Sequence, residues 1–418
     1  MIYDLIIIGA GAAGLFAAAN TPAHWNVLLL EKERTPGQKL LLTGNGQCNL
    51  TNNRPIAEFL NCYGEKGKRL RPILFPFSNL ALMAYFRENG LPLESRPDGK
   101  VFPASKNSRH VLDFFLTRCQ EGGVEIRYES AVTEIIPQAN GGMCPFRLTS
   151  EKSEIFFTRH ILVATGGASY PKTGSDGAFF SCLSALGIDL IPHRPALTPV
   201  FVQTYPYAAL SGISFSDCIV SIASKSGGKC IQGRGDLLLT HKGFSGPLIL
   251  ALSRYVAQGD KLTIHYLPEQ TPDALRRTLL TAAQGNARQI VTLLESITPL
   301  PRRFLEHICH RIPGVENRKA SGLSGKELGA VAALLTTDSY EISGTGGFSV
   351  AMATSGGVSL DEIDLRTMES RRYPGLYFAG EVLDVDGDTG GYNLQFAFSS
   401  AMASVRAMEY ATDLWQNT

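Results

Sequence analysis

The apolar positions at the start of the chain predict a strand, a helix and a second strand. Leu5 to Ile8 form a continuous apolar run, which is typical of a strand buried on both faces of a parallel sheet. The alanine-rich segment from Leu15 to Ala19 predicts the helix, and Val27 to Leu30 form the second buried run. This order indicates an α/β fold that begins with a Rossmann-like parallel sheet.

The pattern continues in the same style over the first two hundred residues. Apolar spacing predicts helices over Leu80–Asn89 and Arg109–Glu121, followed by a strand pair around 124–136. The run from Arg159 to Ala164 predicts a further buried strand of the first sheet, and it ends in the turn Thr165-Gly166-Gly167.

From about Pro195 the pattern changes to short β-like runs between turns, and later to helical spacing. We expect strands over 197–203, 218–224, 236–240 and 261–266, helices over 272–312 and 325–335, and strands over 339–342 and 347–353. The last block returns to a buried strand, a glycine turn and a helix. We therefore predict a discontinuous domain of residues 1–194 and 345–418. The inserted domain spans 195–344, with β-rich parts at 195–268 and 336–344 and a helical part at 270–335.

Three glycines and one acid add a ligand site to this fold. After the first strand, Gly9 permits a tight turn, Gly11 lets a pyrophosphate approach the backbone, and Gly14 lets the helix pack on the sheet. Glu31 ends the second strand, where its carboxylate can accept hydrogen bonds from ribose hydroxyls. The spacing predicts a dinucleotide site, and the alternative is a glycine-rich turn without a ligand.

Two further glycine-rich polar segments are candidates for the same site. The loop from Gly37 to Asn52 is rich in amides, and the block from Gly380 to Gln395 carries Tyr392 and Asn393. Such segments expose the backbone donors and acceptors that a large polar ligand needs. The alternatives are an ordinary surface loop for the first segment and a structural cap of the last helix for Tyr392 and Asn393.

Composition narrows the partners and the chemistry. The chain of 418 residues has a formal net charge of +1, so no global field favours a nucleic acid or an acidic membrane. Its eight cysteines include no C-x-x-C pair, and we expect neither a metal site nor a dithiol centre. His307 and His310 share a helical face but have no evident carboxylate partners. The chain has no apolar run of membrane-spanning length, and we expect a soluble, cytoplasmic protein.

The motifs together resemble a known flavoprotein family. The N-terminal glycines, the Ala164-Thr165-Gly166 strand end and the Tyr377 to Glu381 block are similar to the glutathione-reductase-like FAD superfamily. More narrowly, the segments 42–52, 239–247 and 380–395 resemble the BaiN/RdsA-type NAD(P)/FAD-dependent oxidoreductases, some of which are known as aminoacetone-oxidase-like flavoproteins. The resemblance runs essentially from end to end. It implies a discontinuous FAD-binding domain with an inserted β-barrel-like and helical domain.

The resemblance also implies which residues bind FAD. The implied set contains the glycine turn, Glu31, the strand end at 165–167, Val132 and residues of the two polar segments. These residues are Gly9, Gly11, Ala12, Ala13, Gly14, Glu31, Lys32, Gly44, Asn45, Gly46, Cys48, Asn49, Val132, Thr165, Gly166, Gly167, Gly380, Glu381, Asp384, Gly390, Gly391, Tyr392 and Asn393. The segment Gly174 to Gly177 is shorter than the family pattern, so no residue is assigned there.

Few side chains are candidates for the chemistry itself. Cys48 is a candidate proton donor beside the flavin, and the alternative is a small packed residue. Cys62 is too distant in sequence for the redox pair of disulfide reductases. His241 lies in the inserted-domain motif, where turn contacts are the alternative to acid–base work.

Three reactions fit the resemblance. The first is NAD(P)H-driven reduction of an activated C=C bond, with NAD(P)H docking transiently because the chain has no second G-x-G-x-x-G turn. The second is oxidation of a small amine, with O2 as the acceptor. The third is reduction of a uracil base in ribosomal RNA to dihydrouridine. In that case we expect the RNA to bind basic residues of the helical part: Arg302, Arg303, Arg311, Arg318 and Lys319.

Overall fold

The structure is a computed structural model that describes residues 2–138, 145–228 and 230–416. The chain divides into two compact units. Unit 1 comprises Met1–Ala196 and Phe348–Thr418, and unit 2 comprises Leu197–Gly347. Each unit has its own sheets and its own buried apolar residues.

Both units contain strands as well as helices. The strands, in chain order, are β1 (Ile2–Ile8), β2 (Val27–Leu30), β3 (Thr51–Asn52), β4 (Leu93–Ser95), β5 (Lys100–Pro103), β6 (Glu125–Arg127), β7 (Val132–Pro137), β8 (Phe146–Ser150), β9 (Ile155–Val163), β10 (Leu190–Ala196), β11 (Val200–Val202), β12 (Ser214–Ala223), β13 (Ile231–Leu239), β14 (Phe244–Ser245), β15 (Lys261–His265), β16 (Asp338–Thr345), β17 (Ala353–Val358) and β18 (Leu376–Phe378). The α-helices are α1 (Ala12–Ala18), α2 (Gln38–Leu42), α3 (Ile56–Phe59), α4 (Arg71–Leu74), α5 (Asn79–Glu88), α6 (Ser108–Glu121), α7 (Phe179–Ala185), α8 (Pro247–Leu252), α9 (Pro272–Ala283), α10 (Ile290–Ile297), α11 (Arg302–His310), α12 (Gly325–Thr336) and α13 (Tyr392–Gln416).

A seven-stranded sheet forms the centre of unit 1. Its path runs β6-β2-β1-β9-β8-β7, and β18 pairs with the end of β9. The pairings of β1 with β2 and with β9 are parallel, so that Ile7 lies opposite Leu29 and Leu162. All three of these side chains are buried. The apolar runs of the sequence are therefore continuous because both faces of this sheet are covered.

Two smaller sheets complete unit 1. The strands β3, β5 and β4 form one of them, and β10 pairs with β17 in the other.

One predicted strand is wrong. The prediction of a strand over 347–353 fails because residues 348–350 form a turn and β17 begins only at Ala353. There the Phe348 carbonyl accepts a hydrogen bond from the Tyr170 amide at 2.9 Å, while Val350 and Met352 are largely exposed.

Unit 2 is a closed barrel with helices packed on it. The barrel order is β11-β14-β13-β12-β15-β16, and its interior side chains join those of α9 to α12 in one apolar core. This arrangement confirms the predicted fold class, an α/β Rossmann-like unit with a barrel-like and helical insertion. In the described part of the chain, no helix combines the length and the apolar composition that crossing a bilayer requires.

A buried carboxylate with several partners lies inside unit 2. Asp338 is 1% exposed, and its Oδ2 accepts hydrogen bonds from the hydroxyls of Tyr207, Tyr266 and Tyr340, the last at 2.7 Å. Its Oδ1 lies 3.2 Å from Nη1 of Arg311, which also donates to Tyr207 and Tyr340. Burial, together with the negative charge of Asp338, raises the pKa of these three tyrosines. We call these five residues the Asp338 cluster.

Candidate functional site

A cavity of about 520 Å³ lies in unit 1 where four strands end. Residues at the carboxyl ends of β1, β2, β9 and β18 all line it. Its volume is in the range of small-molecule sites, and its position is where α/β sheets bind ligands. Thirteen of the predicted FAD-binding residues line it: Gly9, Gly11, Ala12, Ala13, Glu31, Lys32, Val132, Thr165, Gly166, Gly167, Gly380, Glu381 and Asn393.

The three N-terminal glycines have three different surroundings. A Cβ on Gly9, whose φ is +103°, would lie 2.7 Å from the Ala164 carbonyl oxygen. A Cβ on Gly14 would lie 1.9 Å from the Gly9 carbonyl oxygen, so Gly14 serves helix packing and does not line the cavity. A Cβ on Gly11 would meet nothing within 4 Å. Gly11 therefore leaves open space beside the backbone, as close approach of a ligand requires.

Glu31 is buried at the end of β2 and receives two backbone hydrogen bonds. Its Oε2 accepts from the Ala10 amide at 2.7 Å, and its Oε1 accepts from the Glu33 amide at 2.9 Å. Burial nevertheless raises the pKa of Glu31, because the two amides only partly offset the loss of solvation. Beside it, Lys32 forms an ion pair with Asp176 at 2.7 Å, which ties this strand end to the segment around Gly174.

Two buried hydroxyls in the cavity wall have no hydrogen-bond partner among the described residues: Thr165 Oγ1 and Ser175 Oγ. An unsatisfied buried polar group costs about 1–3 kcal/mol, so each of these two hydroxyls is a candidate partner for a polar ligand in the cavity. Ser175 belongs to the segment from Gly174 to Gly177, where the family resemblance assigned no residue. In the sequence, the two glycines of this segment, Gly174 and Gly177, were the feature that could have indicated a site residue here. In the structure both have positive φ.

An ion pair in the cavity wall, between Lys39 and Glu381, connects four separate segments of the chain through its hydrogen bonds. Lys39 lies 2.5 Å from Oε2 of Glu381 and donates to the Ser169 hydroxyl. Glu381 Oε1 accepts from that hydroxyl at 2.8 Å and from the Thr354 amide at 2.7 Å. Burial opposes ionisation, but the charge of Lys39 and these hydrogen bonds together hold the pKa of Glu381 below its usual value. Lys39 was missed as a site residue, although it lies in the Gly37–Asn52 loop.

The remaining predicted residues lie outside the cavity wall: Gly14, Gly44, Asn45, Gly46, Cys48, Asn49, Asp384, Gly390, Gly391 and Tyr392. Several of them join the two polar segments to each other. With its amide oriented to satisfy its neighbours, Asn49 accepts from the Gly391 amide at 3.0 Å. Thr51 donates to the Gln395 side chain at 2.6 Å, and a Cβ on Gly391 would lie 2.5 Å from the Thr51 carbonyl oxygen. The loop after β2 and the C-terminal block therefore form one structural unit.

The side chains of the C-terminal block are bound within unit 1. The Asn393 amide exchanges two hydrogen bonds with the Gly387 backbone, at 2.8 and 2.9 Å, and so closes its own turn. Tyr392 is buried against Phe59 and Tyr63. Asp384 accepts from the Gly356 amide at 2.9 Å and pairs with Lys66. These contacts fit the structural alternative for Tyr392 and Asn393.

Cys48 is fully buried behind the cavity wall. Its side chain has no exposed surface and belongs to the apolar core around β1 and α1. Burial raises the pKa of its thiol to about 12, partly offset by a hydrogen bond with Thr43. These are the properties of a packed thiol, and the proton-donor role of Cys48 stays a prediction.

The basic residues predicted to bind RNA are mostly engaged with protein groups. Arg302 pairs with Glu295 at 2.6 Å and with Glu306 at 2.9 Å. Arg311 belongs to the Asp338 cluster, and Arg318 pairs with Glu327 at 2.6 Å. These three side chains therefore do not form the free phosphate-binding surface that was expected.

The three candidate histidines of unit 2 either contact protein groups or lie at the surface in the described part of the chain. His310 Nδ1 lies 2.7 Å from a Glu316 carboxylate oxygen, and the His307 ring packs against Tyr207. His241 lies in an exposed bend of the barrel. Across the described ranges, no group of three or more His, Cys, Asp or Glu side chains could hold a metal ion.

Comparisons with known proteins identify relatives over the whole chain. A family model described as the HI0933-like protein Rossmann domain matches residues 3–407. Ribosomal RNA dihydrouridine synthase of Escherichia coli strain K12 is 32% identical over 412 residues, which cover 96% of this chain and 96% of that protein. The 3-dehydro-bile acid Δ4,6-reductase of Clostridium scindens is 30% identical over 416 residues, covering 96% and 98%.

A solved structure agrees with the fold. The 3-ketosteroid Δ1-dehydrogenase of Sterolibacterium denitrificans matches 98% of this chain and 100% of its own, with a TM-score of 0.51 and 12% identity, which shows likeness of fold alone. At the level of enzyme class, the prediction of an FAD-dependent oxidoreductase is confirmed by the family and its relatives. The chain belongs to the HI0933-like Rossmann-domain family.

Proposed function

We propose that the cavity of unit 1 binds FAD through the residues that line it. The observation that carries this proposal is the set of unused binding groups in one wall: the open space at Gly11 and the partnerless hydroxyls of Thr165 and Ser175. A dinucleotide has the phosphate and ribose groups that such a wall can satisfy. The Glu31 carboxylate would accept from the adenosine ribose, and the amides around Gly11 would donate to the pyrophosphate.

Bound there, FAD supplies hydride transfer, while the protein supplies position and electrostatics. Lys39 and Glu381 hold four wall segments in one arrangement through their ion pair and the hydrogen bonds of Glu381. A wall fixed before the ligand arrives does not have to be ordered on binding, which favours affinity. The Lys39–Glu381 ion pair places two opposite charges in this wall, and the charge of each is balanced by the other.

We propose that the reaction is NAD(P)H-driven reduction of an activated C=C bond. Two relatives support this choice, because the names of both the dihydrouridine synthase and the Δ4,6-reductase denote saturation of a carbon–carbon double bond. Both substrates also carry carbonyl groups that can accept electron density from the double bond. A uracil base in ribosomal RNA is the substrate that we favour. A further relative, from Haemophilus influenzae, has the same name as the Escherichia coli protein, ribosomal RNA dihydrouridine synthase. Such a reaction would take place in the cytoplasm.

The test is an anaerobic reduction of the purified flavoprotein. We expect NADH or NADPH to bleach the yellow flavin band, and added ribosomal RNA lacking dihydrouridine to restore it. Dihydrouridine in the recovered RNA would be measured by mass spectrometry. The proposal would be contradicted if NADH and NADPH leave the flavin oxidised while a small amine reduces it and air then yields peroxide. That result would favour the amine oxidase.

A further inference from the structure

The helical part of unit 2 contains two segments with a strong local excess of positive charge. Residues 272–289 and 318–329 include only two acids, Asp273 and Glu327. The whole chain, by contrast, has 39 Lys and Arg residues against 38 Asp and Glu residues. The basic residues of the two segments are Arg276, Arg277, Arg288, Arg318, Lys319 and Lys326.

Packing of α9 against α12 places part of this charge on one face. A Cβ on Gly325 would lie 3.5 Å from Leu280, and a Cβ on Gly329 would lie 3.5 Å from Nε of Arg276, so the two helices run antiparallel. Lys326 precedes Gly329 by one helical turn and lies on the same face of α12. The Arg276 side chain therefore crosses α12 beside Lys326, and both residues are exposed.

The loop that follows α9 and the loop that precedes α12 extend the charge. Gln289 and Lys319 form an antiparallel bridge, and the Ala320 amide donates to the Arg288 carbonyl at 2.9 Å. Arg288 and Lys319 are therefore close neighbours, and both are exposed. The Arg318–Glu327 ion pair connects this loop to α12 next to Lys326.

Five of these cations are free to bind a ligand. Arg276, Arg277, Arg288, Lys319 and Lys326 are exposed, and no described carboxylate lies within 4 Å of their charged nitrogens. We call these five residues the α9–α12 surface. No large apolar side chain is exposed among them, whereas a membrane-binding helix presents such side chains beside its basic residues. A polar, exposed, positively charged surface of this kind fits the phosphates of a nucleic acid.

We propose that the α9–α12 surface binds the sugar-phosphate backbone of the RNA that carries the target base. The inference rests on the proposed function, because it takes an RNA as the macromolecular substrate. It assigns the contact to Arg276, Arg277 and Lys326 in place of Arg302 and Arg303. Phosphate contacts of this type position a substrate without reading its sequence.

The test uses the FAD-loaded full-length protein and a fluorescently labelled RNA hairpin with uridines in its loop. Binding is measured by anisotropy over a series of salt concentrations for the wild type and for R276Q/R277Q/K326Q. Three lost phosphate contacts should weaken binding by roughly 100-fold near physiological salt and should make the slope of log K against log salt shallower by about 2–3. The matched control R302Q/R303Q removes two charges from the same helical part and should bind like the wild type.

Several results would overturn the proposal. Wild-type affinity in the triple variant, or equal losses in the triple variant and in R302Q/R303Q, would remove this surface from RNA binding. Charge-dependent binding to phosphatidylserine vesicles, with RNA binding unchanged, would assign the surface to a membrane. If the triple variant loses flavin or thermal stability, R277Q/R288Q, which changes two exposed side chains, provides the same test.

A parallel measurement separates this inference from the proposed reaction. Flavin bleaching by NADPH is recorded without RNA for each variant. If the wild type bleaches but does not bind RNA, the α9–α12 proposal fails and the reductase proposal stands. If the wild type binds RNA through this surface but NADPH and NADH leave the flavin oxidised, the surface stands and the electron donor is wrong.

Discussion

The two units each bury a cluster of polar groups, and the two clusters are complete to different degrees. In unit 2, both carboxylate oxygens of Asp338 have partners, and the tyrosines and Arg311 satisfy one another. In unit 1, the cavity wall contains the partnerless hydroxyls of Thr165 and Ser175. Buried polar groups are normally paired, so the first cluster needs nothing more, whereas two hydroxyls of the second have no partner among the described residues.

This difference separates architecture from function more reliably than residue type does. Asp, Tyr and Arg in the Asp338 cluster are residue types common in active sites, yet their mutual satisfaction leaves no group to bind a substrate. The hydroxyls of Thr165 and Ser175 are chemically modest, but neither has a hydrogen-bond partner among the described residues. Destabilising groups at a site are tolerated when a bound ligand compensates for them.

The largest effect should come from breaking the complete cluster. Asp338→Ala leaves the Arg311 charge and three tyrosine hydroxyls without their shared acceptor, and we expect a loss of about 3–5 kcal/mol in the unfolding free energy of unit 2. Denaturant unfolding followed by circular dichroism measures it, and FAD retention reports separately on unit 1. Asp338→Asn, which keeps the shape, should lose less. Wild-type stability in Asp338→Ala would show that the cluster contributes nothing to the fold.

The incomplete cluster should respond in the opposite way. Thr165→Val and Ser175→Ala remove groups that lack partners among the described residues, so the stability of the FAD-free protein should stay the same or rise. FAD affinity should fall by about 2–10-fold for each variant, measured by titration of the deflavinated protein. Ser181→Ala is a matched control, because that hydroxyl lines the cavity but already donates to the Ala178 carbonyl at 2.7 Å. If the two variants lose folding stability but keep the FAD affinity of the wild type, Thr165 and Ser175 serve the fold and do not bind FAD.

Glu31 should give the FAD-free protein a distinctive pH dependence. Because burial raises the pKa of Glu31 in the folded state, the folded protein retains this proton when the unfolded chain has lost it. Stability from this group is therefore present below the ordinary glutamate pKa and is lost as the pH rises through the raised value. Glu31→Gln should flatten that decline, and denaturant midpoints across the acidic range measure it. An unchanged slope in the variant would mean that Glu31 is ordinarily solvated.

The smallest effect is expected at Cys48. Its thiol is buried outside the cavity wall, with a pKa raised to about 12, so Cys48→Ala should lose about 1 kcal/mol of stability and keep turnover in the proposed reaction. Cys119→Ala, another buried thiol of the same core, is the control for packing alone. Loss of turnover with full FAD content, in Cys48→Ala but not in Cys119→Ala, would make Cys48 the proton donor.

Local sequence patterns predicted the Rossmann sheet well, because the residues that specify each strand and the glycine turn are close together along the chain. Continuous apolar runs placed β1, β2 and β9, and the spacing of Gly9, Gly11 and Gly14 placed the turn at the cavity. The strand expected over 347–353 failed because apolar residues in a short run also suit a loop. Whether such a run pairs depends on whether a neighbouring strand is available, which lies outside the run itself.

The cavity wall was harder to predict because its partners are distant in sequence. Lys39 meets Glu381, and Ser175 lies beside Gly166, through contacts that no local pattern encodes. The cofactor contact of the polar loop around Asn49 stays a prediction, and its contact with the C-terminal block at Gly391 had no signal in the local sequence. The ion pairs of Arg302 were also not predictable, since a sequence shows the cation but not the two carboxylates that lie next to it in the fold.

The discontinuity of unit 1 has a consequence for the order of events during synthesis on the ribosome. Every strand of the barrel lies between Val200 and Thr345, so that sheet can be completed while the chain is still emerging. The cavity wall, by contrast, needs Gly380, Glu381 and Asn393, which are translated later. Domains generally fold as their segments become available. A nascent chain can thus carry a finished barrel while its Rossmann sheet still lacks β18, and the proposed binding of FAD to the cavity has to wait for the C-terminal block.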